Sequence, residues 1–413
     1  MTSKERRREE RYERRKAARV EKKEILYADC DDFQNIIDYR AQFSAYKKSK
    51  RGVTWKASIQ RYGMNMLKNF EQTQSALEKR KDIAKGFVEF DTLERGRMRH
   101  IRSIHFSERV VQRSTCDNAL VPMLRRSLIY DNGACLPGKG VDQSLDRLEA
   151  HLHEFYRANG GSNKGWAVIY DFSGFFDNIL HKHCFGIYRK NFTDKRIIWL
   201  LSCFILPFGC PNQSRTRKNI RRRNTMDGYT GKSLGLGSQV SQITAVAYPN
   251  TIDHYIKERM HVHFYGRYMD DGYMLFRKKE SAKKAIDVLT RICASLGIIV
   301  NPKKTHIAKI ERGIKFLKCR MILTETGKVQ RHMAKESVVR QRRKLKTFAK
   351  KVSTGEMTID EVTNAHASWK GYAIRRGGSV EAKNMDKIFE RLFGVKAPEC
   401  KIKKRRKKRW KKT

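Results

Sequence analysis

The sequence predicts an α+β fold in which helices surround a small antiparallel sheet, and three observations favour this class. In 265–276 two apolar runs flank Asp270, Asp271 and Gly272, and Asp-Gly between alternating hydrophobics is the strongest short signal for a β-hairpin. A second apolar run, 166–171, has the character of a buried strand. Long segments elsewhere carry apolar residues at helical spacing. The hairpin would hold two carboxylates at its tip.

Composition points to a polyanionic partner. The 413 residues include 90 Lys and Arg against 43 Asp and Glu, for a formal net charge of +47. This length allows a sizeable core and two or three subdomains. The charge favours nucleic acid first, with a membrane surface as the rival. There is no apolar run of bilayer length and no apolar signal region at the charged N-terminus, so we expect a cytoplasmic protein with no membrane partner.

The cysteines predict no disulfide framework. Nine are scattered along the chain and no two form Cys-x-x-Cys, which is typical of reduced thiols in a cytosolic protein. His181, His183 and Cys184 suggest zinc, but a second pair of ligands is missing from the sequence.

The first third of the chain is predicted to be a basic arm, then helices and short strands. Residues 1–52 form the arm, and its first 24 residues are either a solvated helix or disordered. Helical spacing follows over 53–82, and 86–112 suggests short strands before a helix. The loop 132–140 is rich in turn residues and contains Gly-Lys-Gly before an amphipathic helix over 141–158. Such a loop could hold phosphate, although it lacks the full P-loop spacing.

The middle of the chain places an acid and a glycine-rich loop before the hairpin. Asp171 ends the apolar strand, where it either faces a site at the sheet edge or caps the next helix, a role that Asp177 could take instead. Residues 207–233 form an arginine-rich insertion. The loop 234–242 then opens a helix that is predicted to reach Met260, and its glycines would let a nucleotide approach the backbone.

After the hairpin the chain returns to helices. An amphipathic helix over 281–297 leads to a strand, and 314–321 suggests a pair of short strands. From 333 onward apolar residues recur at helical spacing with Arg and Lys opposite, which predicts a small basic helical domain. The tail 399–413 is almost entirely Lys and Arg, and it either binds nucleic acid or is only solvated.

The paired acids need an explanation, because two ionised carboxylates about 4 Å apart repel by roughly 4 kcal/mol at an effective dielectric constant near 20. A third acid beside them increases the repulsion. Cations make such a cluster tolerable, and Mg²⁺ takes few carboxylates and completes its shell with water and phosphates. The alternative for Asp270 and Asp271 alone is a solvated turn.

Three blocks in order resemble the palm motifs of a reverse transcriptase. They are the strand with Asp171 to Asp177, the run Gly237-x-x-x-Ser241-Gln242 and Tyr268-Met269-Asp270-Asp271. Lys304-Thr305 resembles the fourth block of the family, and Phe316-Leu317 the start of its primer grip. The resemblance implies a right-hand polymerase. Its predicted parts are the N-terminal arm (1–52), N-terminal helices and fingers (53–165), palm (166–325), helical thumb (326–398) and basic tail (399–413).

The resemblance also implies a chemistry and its residues. Asp171, Asp270 and Asp271 would be catalytic and, with the backbone carbonyl of Phe172, would hold two Mg²⁺ ions for which Mn²⁺ can substitute. Asp271 could instead be structural. Phe176 would be the steric gate that selects dNTPs, or else a core residue, for which Phe175 is the better candidate. The other implied nucleotide contacts are Arg109, Lys139, Gly237, Gln242 and Lys304. Lys304 could equally be an exposed structural lysine.

The subclass that is most similar is the reverse transcriptase of diversity-generating retroelements. Ser241-Gln242 and Ala134-Cys135-x-x-Gly138-Lys139-Gly140 resemble that group. Its members copy a template-repeat RNA with errors at adenines and work with a small basic barrel-shaped accessory protein. The implied partners are therefore an RNA template, a DNA or RNA primer, dNTPs and such a protein. Two departures from the pattern are Leu136, where relatives often have Arg, and Lys318, which replaces a primer-grip glycine.

Two rival interpretations remain open from the sequence. The first is a retron, group II intron-like or phage-defence reverse transcriptase. The second is an RNA-binding protein without catalysis, which would have no need for the three acids Asp171, Asp270 and Asp271.

Overall fold

The computed structural model describes residues 3–94, 96–210 and 228–400. The predicted insertion 207–233 and tail 399–413 therefore lie largely outside the described residues, including all the arginines of the insertion. Helices alternate along the chain with the strands of small antiparallel sheets, so the α+β class is confirmed. Within these ranges no helix combines the length and the apolar character that crossing a bilayer requires.

Seventeen α-helices are described. The first five are α1 (Ser3–Cys30), α2 (Gln34–Ile37), α3 (Tyr39–Ser49), α4 (Ala57–Met64) and α5 (Met66–Glu78). The next nine are α6 (Phe106–Thr115), α7 (Val121–Arg125), α8 (Val141–Ala158), α9 (Phe175–Asn178), α10 (His181–Asn191), α11 (Lys195–Ile205), α12 (Gln239–Ala247), α13 (Asn250–His254) and α14 (Lys279–Ser295). The last three are α15 (Lys335–Ser353), α16 (Ile359–Arg375) and α17 (Ser379–Phe393).

The central sheet has five strands. They are β3 (Trp166–Ser173), β4 (Tyr265–Tyr268), β5 (Asp271–Phe276), β6 (Ile299–Val300) and β7 (His306–Lys309). Four of them follow the order β4-β5-β3-β6, and β7 also pairs with β3. All pairings are antiparallel, and the β3–β5 register sets Trp166 opposite Phe276 and Asp171 opposite Asp271. The end of β3 and the start of β5, which carry the acids, therefore lie side by side at one end of the sheet.

Strand β3 is buried on both faces, which explains its continuous apolar run. Alternate side chains enter two different cores, because successive residues of a strand point to opposite faces. Val168 and Tyr170 join the larger core, which the helices from α6 to α14 complete with the exception of α8. Ala167 and Ile169 join a second core with α8 and the following small sheet. The sheet that positions the acids is thus fixed from both sides.

The N-terminal segment is only partly the arm that the sequence predicted. After Cys30 the chain enters the interior, and Phe33, Ile36 and Ile37 are at most 1% exposed within the larger core. The predicted basic arm over 1–52 thus contains a short segment, Phe33 to Ile37, whose apolar side chains pack in the interior. The short apolar pattern there was hidden by the surrounding charges.

Two further sheets frame the central one. Strands β1 (Phe87–Glu94) and β2 (Arg97–Ile104) form an antiparallel hairpin. Strands β8 (Ile314–Phe316), β9 (Cys319–Leu323) and β10 (Val329–Met333) form a three-stranded sheet in the order β10-β9-β8. Helices α15, α16 and α17 then pack on one another through Leu345, Val362 and Phe389.

Candidate active site

The β4–β5 hairpin turns one residue earlier than the sequence suggested. Tyr268 pairs with Asp271, so the two-residue turn is Met269-Asp270, and Met269 adopts the left-handed conformation with φ of 56°. The prediction that Asp-Gly forms this turn is wrong. Gly272 lies within β5, where a Cβ would come within 2.2 Å of the Tyr170 ring. The glycine is needed for close packing between strands, and the pair of acids nevertheless lies at the tip as predicted.

The third predicted acid lies directly beside the other two. Asp171 of β3 is the cross-strand partner of Asp271, and the backbone N–H of Phe172 donates to the Asp270 carbonyl at 3.1 Å. Asp171 is only 6% exposed. The structure therefore brings Asp171, Asp270 and Asp271 to one point, as expected from their positions at the ends of two neighbouring strands.

A lysine forms a salt bridge with the carboxylate of Asp171. The ammonium of Lys304 donates to Oδ1 at 2.9 Å and to Oδ2 at 2.8 Å, and Asn301 Nδ2 donates to Oδ2 at 3.1 Å. The Lys304 side chain is 46% exposed, so water reaches the ion pair from one side. Lys304 was predicted to contact nucleotide, and here it neutralises part of the charge of the acids.

Burial and mutual repulsion make the acids reluctant to ionise together. Burial, followed by the charges of Asp270 and Asp171, raises the pKa of Asp271 to about 7, while Lys304 opposes the rise. Burial and the charge of Asp171 also raise the pKa of Asp270, against the effects of its own backbone amide, Lys304 and Arg99. A cluster in this state gains from a cation that binds several carboxylates at once.

The donor set fits hard divalent cations. Three carboxylates at one sheet edge supply only oxygen ligands, which Mg²⁺ prefers. In the described part of the chain, however, no three His, Cys, Asp or Glu side chains are already arranged around a single metal position. The Lys304 ammonium contacts both oxygens of Asp171, so a cation at that carboxylate would have to replace the lysine.

A buried ion pair supports the hairpin from below, and sequence reasoning missed it. Arg267 Nε and Nη2 donate to the two carboxylate oxygens of Asp253 at 2.8 and 2.6 Å, and Tyr265 Oη donates to the same carboxylate at 2.6 Å. Arg267 Nη1 donates to the Met269 carbonyl at 2.9 Å. Both charged side chains are fully buried. Arg267 thereby holds the turn that carries Asp270, and no local sequence signal pairs it with Asp253.

The Arg267 guanidinium stays charged in this interior. Burial alone would lower the pKa of Arg267, but the charge of Asp253 and their hydrogen bonds raise it above its ordinary value. A buried pair of this kind is costly to break, because one partner would leave the other charge unpaired.

Phe175 and Phe176 both contact the larger core but differ in burial. Phe175 is buried at 5% exposure, and Phe176 is only partly buried with its ring 5.8 Å from that of Phe175. The carbonyl of Phe176 accepts from Leu234 N–H at 2.8 Å, which attaches it to the glycine-rich loop. The assignment of Phe176 as the sugar-selecting residue stays a prediction.

The glycine-rich loop opens α12 through a serine cap. Ser238 Oγ accepts from the Ser241 N–H and donates to Gln112 Oε1. Gly237 has φ of 103°, and Gln242 is exposed on the first turn. Ser241 is fully buried beneath this turn. Gly237 and Gln242 remain available to a ligand.

The two other predicted cationic contacts have partners away from the acids. Lys139 donates to the Tyr130 carbonyl and lies 4.1 Å over that ring, and burial lowers its pKa. Arg109 donates weakly to Ser103 Oγ at 3.4 Å, and its Nε is buried without a hydrogen-bond partner. Neither side chain has a described contact with the three carboxylates.

The predicted primer grip is a tight hairpin. Leu317 and Lys318 both have positive φ, 47° and 63°, which is the type I′ geometry that normally favours glycine or asparagine. Lys318 therefore accepts the conformation despite lacking the family glycine. Phe316 is buried, and its ring packs edge-on against Tyr273 of β5 at 5.1 Å. Its structural role is to connect this hairpin to the catalytic strand.

The first of the three suggested zinc ligands has both of its ring nitrogens hydrogen-bonded within the protein. His181 bonds to Tyr229 Oη at 2.8 Å and the Ser233 carbonyl at 2.6 Å. Its two ring nitrogens are thus committed within the protein.

Comparison with known families gives the class. The model of the reverse transcriptase (RNA-dependent DNA polymerase) family matches residues 93–321, which is more than half of the chain. The chain belongs to this family. Its fold is accordingly that of a reverse transcriptase, with helices and antiparallel sheets mixed along the chain.

Comparison with solved structures finds telomerases. The chain resembles apo telomerase from Candida tropicalis truncated from its C-terminal domain, at 13% identity and a TM-score of 0.44, covering 60% of this chain and 55% of that one. It also resembles apo telomerase from the same organism, at 13% identity and a TM-score of 0.41, covering 60% of this chain and 48% of that one. The chain thus spans about half the length of these proteins. Curated proteins gave no match.

Proposed function

We propose that this protein synthesises DNA on an RNA template by phosphoryl transfer at Asp171, Asp270 and Asp271. The observation that carries the proposal is the convergence of these three carboxylates at one sheet edge, within a chain of the reverse transcriptase family. The raised pKa values of Asp270 and Asp271 support it, because they indicate a cluster that lacks sufficient countercharge.

The acids and the Phe172 carbonyl would hold two Mg²⁺ ions, or Mn²⁺ in their place, which activate the primer 3′-hydroxyl and neutralise the leaving pyrophosphate when bound. The chain's own residues prepare this site. Arg267 fixes the turn that presents Asp270. Lys304 leaves Asp171 and becomes available to the phosphates of the dNTP. Arg99 supplies further positive charge on the fingers side.

The subclass that we propose is the mutagenic reverse transcriptase of a diversity-generating retroelement. Two segments support it, Ser241-Gln242 and the loop 134–140. Residues 131–133, directly before that loop, pair with strand β4 of the hairpin. The Arg267 N–H donates to the Asp131 carbonyl, and the Gly133 N–H donates to the Arg267 carbonyl. A small basic accessory protein would be the partner. The division into arm, fingers, palm, thumb and tail belongs to the same proposal.

Primer extension tests the activity. The full chain is given a defined RNA template, an annealed DNA primer, dNTPs and Mg²⁺, beside the variant Asp270→Asn, which keeps the shape of the side chain. We expect DNA product from the unmodified chain and a loss of at least 10³-fold in the variant, since a metal-bound charge is removed. Equal product from both would contradict the assignment.

Sequencing of the products tests the subclass. Errors concentrated opposite template adenines would support diversity generation, and evenly spread errors would favour a retron, intron or defence enzyme. If no DNA forms even when a cognate RNA and accessory protein are supplied, while RNA still binds, the non-catalytic RNA-binding protein is the better interpretation.

Replacement of Phe176 by Ala tests sugar selection. A ring beneath the sugar would leave no room for a 2′-hydroxyl, so we expect the variant to lose roughly tenfold or more of its preference for dNTP over rNTP. Steady-state kcat/KM for the two substrates measures this. Phe175→Leu is the matched control, because Phe175 is buried in the core: it should lower stability and leave the ratio alone. An unaltered ratio in Phe176→Ala would remove Phe176 from the site.

A further inference from the structure

The loop after β6 contacts the Asp171 carboxylate through an asparagine. Asn301 Nδ2 donates to Asp171 Oδ2 at 3.1 Å, and the Asn301 backbone N–H donates to the Asp171 carbonyl at 2.8 Å. The backbone contact continues the pairing of β6 with β3, in which Val300 stands opposite Phe172. Asn301 thus holds both the backbone and the side chain of one of the three acids.

The orientation of the Asn301 amide is fixed at both ends. Its oxygen accepts from the Lys303 N–H at 3.1 Å, while its nitrogen faces the carboxylate. An ionised carboxylate only accepts and a backbone N–H only donates, so the reversed amide would lose both hydrogen bonds. The Asn301 carbonyl also accepts from the N–H groups of Lys304 and Thr305, at 3.3 and 2.9 Å. The turn that begins at Asn301 therefore keeps the amide in place.

Asn301 and Lys304 contact the same carboxylate in different ways. The Lys304 ammonium donates to both oxygens and brings a positive charge. The Asn301 amide is neutral, so it restrains the Asp171 carboxylate without cancelling the charge that a metal ion would need. Each carboxylate oxygen has about two lone pairs, and the amide takes one of those on Oδ2. This contact leaves Oδ1 and the second lone pair of Oδ2 to a cation that replaces the ammonium.

We propose that Asn301 is a positioning residue that holds the Asp171 carboxylate in its metal-binding orientation while Lys304 is exchanged for a divalent cation. Hydrogen bonds from neighbouring groups orient a ligating carboxylate, and the loss of one lowers metal affinity or activity by about 10–100-fold in typical sites. The proposal rests on the function proposed above, since that function assigns metal ions to the acids.

Two substitutions separate the contact with Asp171 from the turn. Asn301→Ser keeps an oxygen that can accept from the backbone N–H two residues on, but this side chain is one bond shorter and does not reach the carboxylate. Asn301→Leu is close to asparagine in shape and removes both hydrogen bonds. Asn163→Ser is the matched control. Asn163 is half-buried like Asn301, and its Nδ2 donates to the Leu323 carbonyl at 3.1 Å, near the opposite end of β3.

Mn²⁺ binding to the full chain, without nucleic acid, tests the proposal. Free Mn²⁺ is measured by electron paramagnetic resonance. We expect the Kd for Mn²⁺ to rise about tenfold in Asn301→Ser and by at least as much in Asn301→Leu, because the Asp171 carboxylate loses its restraint. Asn163→Ser should bind Mn²⁺ as the unmodified chain does. Melting temperatures without divalent ions check that each variant is folded.

The same substitution in a Lys304→Gln background separates the carboxylate from the lysine. If Asn301 acts on Asp171, Asn301→Ser should weaken Mn²⁺ binding about tenfold whether or not the lysine is present. An effect that vanishes beside Lys304→Gln would mean that Asn301 acts only by placing the lysine, and it would overturn the proposal. A Kd in Asn301→Ser equal to that in Asn163→Ser would overturn it as well.

Primer extension gives a second readout. In Asn301→Ser we expect the Mg²⁺ concentration for half-maximal rate to rise about tenfold, while kcat at saturating Mg²⁺ stays within about threefold of the unmodified value. A kcat that is lowered equally at every Mg²⁺ concentration would indicate a merely structural role and contradict the proposal.

The two assays also distinguish this proposal from the polymerase function. If the unmodified chain makes no DNA but Asn301→Ser weakens Mn²⁺ binding, the polymerase function fails and the positioning role stands. If the unmodified chain makes DNA and the Mn²⁺ affinities of Asn301→Ser and Asn163→Ser are equal, the positioning role alone fails.

Discussion

Acids contact the β4–β5 hairpin at two places and are neutralised in opposite ways. Below the turn, Asp253 is paired with Arg267, and both side chains are fully buried. Above it, Asp171 is paired with Lys304, whose side chain is 46% exposed, while Asp270 and Asp271 have no described cation within ion-pair distance. The lower countercharge is part of the fold, whereas the upper one can exchange with solvent.

The two ion pairs therefore have different roles: Arg267 with Asp253 supports the turn, and Lys304 with Asp171 lies among the acids proposed for the chemistry. A buried guanidinium cannot leave without exposing the Asp253 charge to an apolar interior, so it fixes the Met269 carbonyl and hence the turn. The Lys304 ammonium already reaches water, since its side chain is 46% exposed, whereas the Asp171 carboxylate that it contacts is buried. A single positive charge also leaves the three acids undercompensated. The upper cluster is thus built to exchange its cation, and the lower one to keep it.

The largest expected effect comes from breaking the lower pair. Arg267→Met leaves Asp253 buried and unpaired, and we expect a loss of about 3–5 kcal/mol in the free energy of unfolding. Urea unfolding followed by circular dichroism measures it. Arg291→Ala, at an exposed position of α14, is the control and should change stability by no more than about 0.5 kcal/mol.

The double variant Asp253→Leu/Arg267→Met sharpens this comparison. It removes both charges, so it should recover much of the stability that Arg267→Met loses. Activity should remain low in the double variant, because the Met269 carbonyl has still lost its donor. Recovery of both stability and activity would mean that Arg267 does not position the turn.

A smaller effect is expected from pH, through a histidine beneath β5. Burial lowers the pKa of His151 to about 3, despite the nearby charge of Asp131. Between pH 6.5 and about pH 3, His151 is protonated in the unfolded chain but neutral in the folded one. Stability should therefore fall as pH falls through this range. From pH 6.5 to 4.5 we expect about 2 kcal/mol more loss in the unmodified chain than in His151→Gln. His263→Gln, at a side chain 76% exposed, should show no such difference.

The smallest expected effect on stability comes from the upper pair. Lys304→Gln should lower the free energy of unfolding by about 1–2 kcal/mol at neutral pH without divalent ions, because the buried Asp171 carboxylate loses its cation but keeps the hydrogen bond from Asn301. The same variant should need about tenfold less Mg²⁺ for half of the Mg²⁺-induced rise in Tm, because a competing charge is gone. Thermal unfolding against MgCl₂ concentration tests both statements. A midpoint equal to that of the unmodified chain would mean that Lys304 does not compete with the metal.

The sequence predicted the elements whose signal is local. The acids Asp171, Asp270 and Asp271 stand at strand ends that periodicity located, and their convergence followed from antiparallel pairing. The long helices α8, α14 and α15 have strong apolar periodicity and were found within a few residues. The glycine beside the acids misled the turn assignment, because Asp-Gly is a turn signal and a packing requirement at once.

Long-range partners were beyond prediction from the sequence. Arg267 appears as one more cation in a chain with 90 of them, and only the fold brings Asp253 to it. Asn301 and Asp171 are 130 positions apart in the chain, and no spacing relates them. Phe33 to Ile37 were concealed because a short apolar group between charged helices has no clear period.

Direct measurement of cation binding tests the central claim that the upper cluster exchanges Lys304 for divalent ions. Mn²⁺ binding is titrated by electron paramagnetic resonance in the full chain, in Asp270→Asn and in Arg291→Ala. We predict saturable Mn²⁺ binding in the unmodified chain and in Arg291→Ala, and at least tenfold weaker binding in Asp270→Asn, because one carboxylate ligand becomes neutral. Equal Mn²⁺ affinity in all three proteins would contradict the claim.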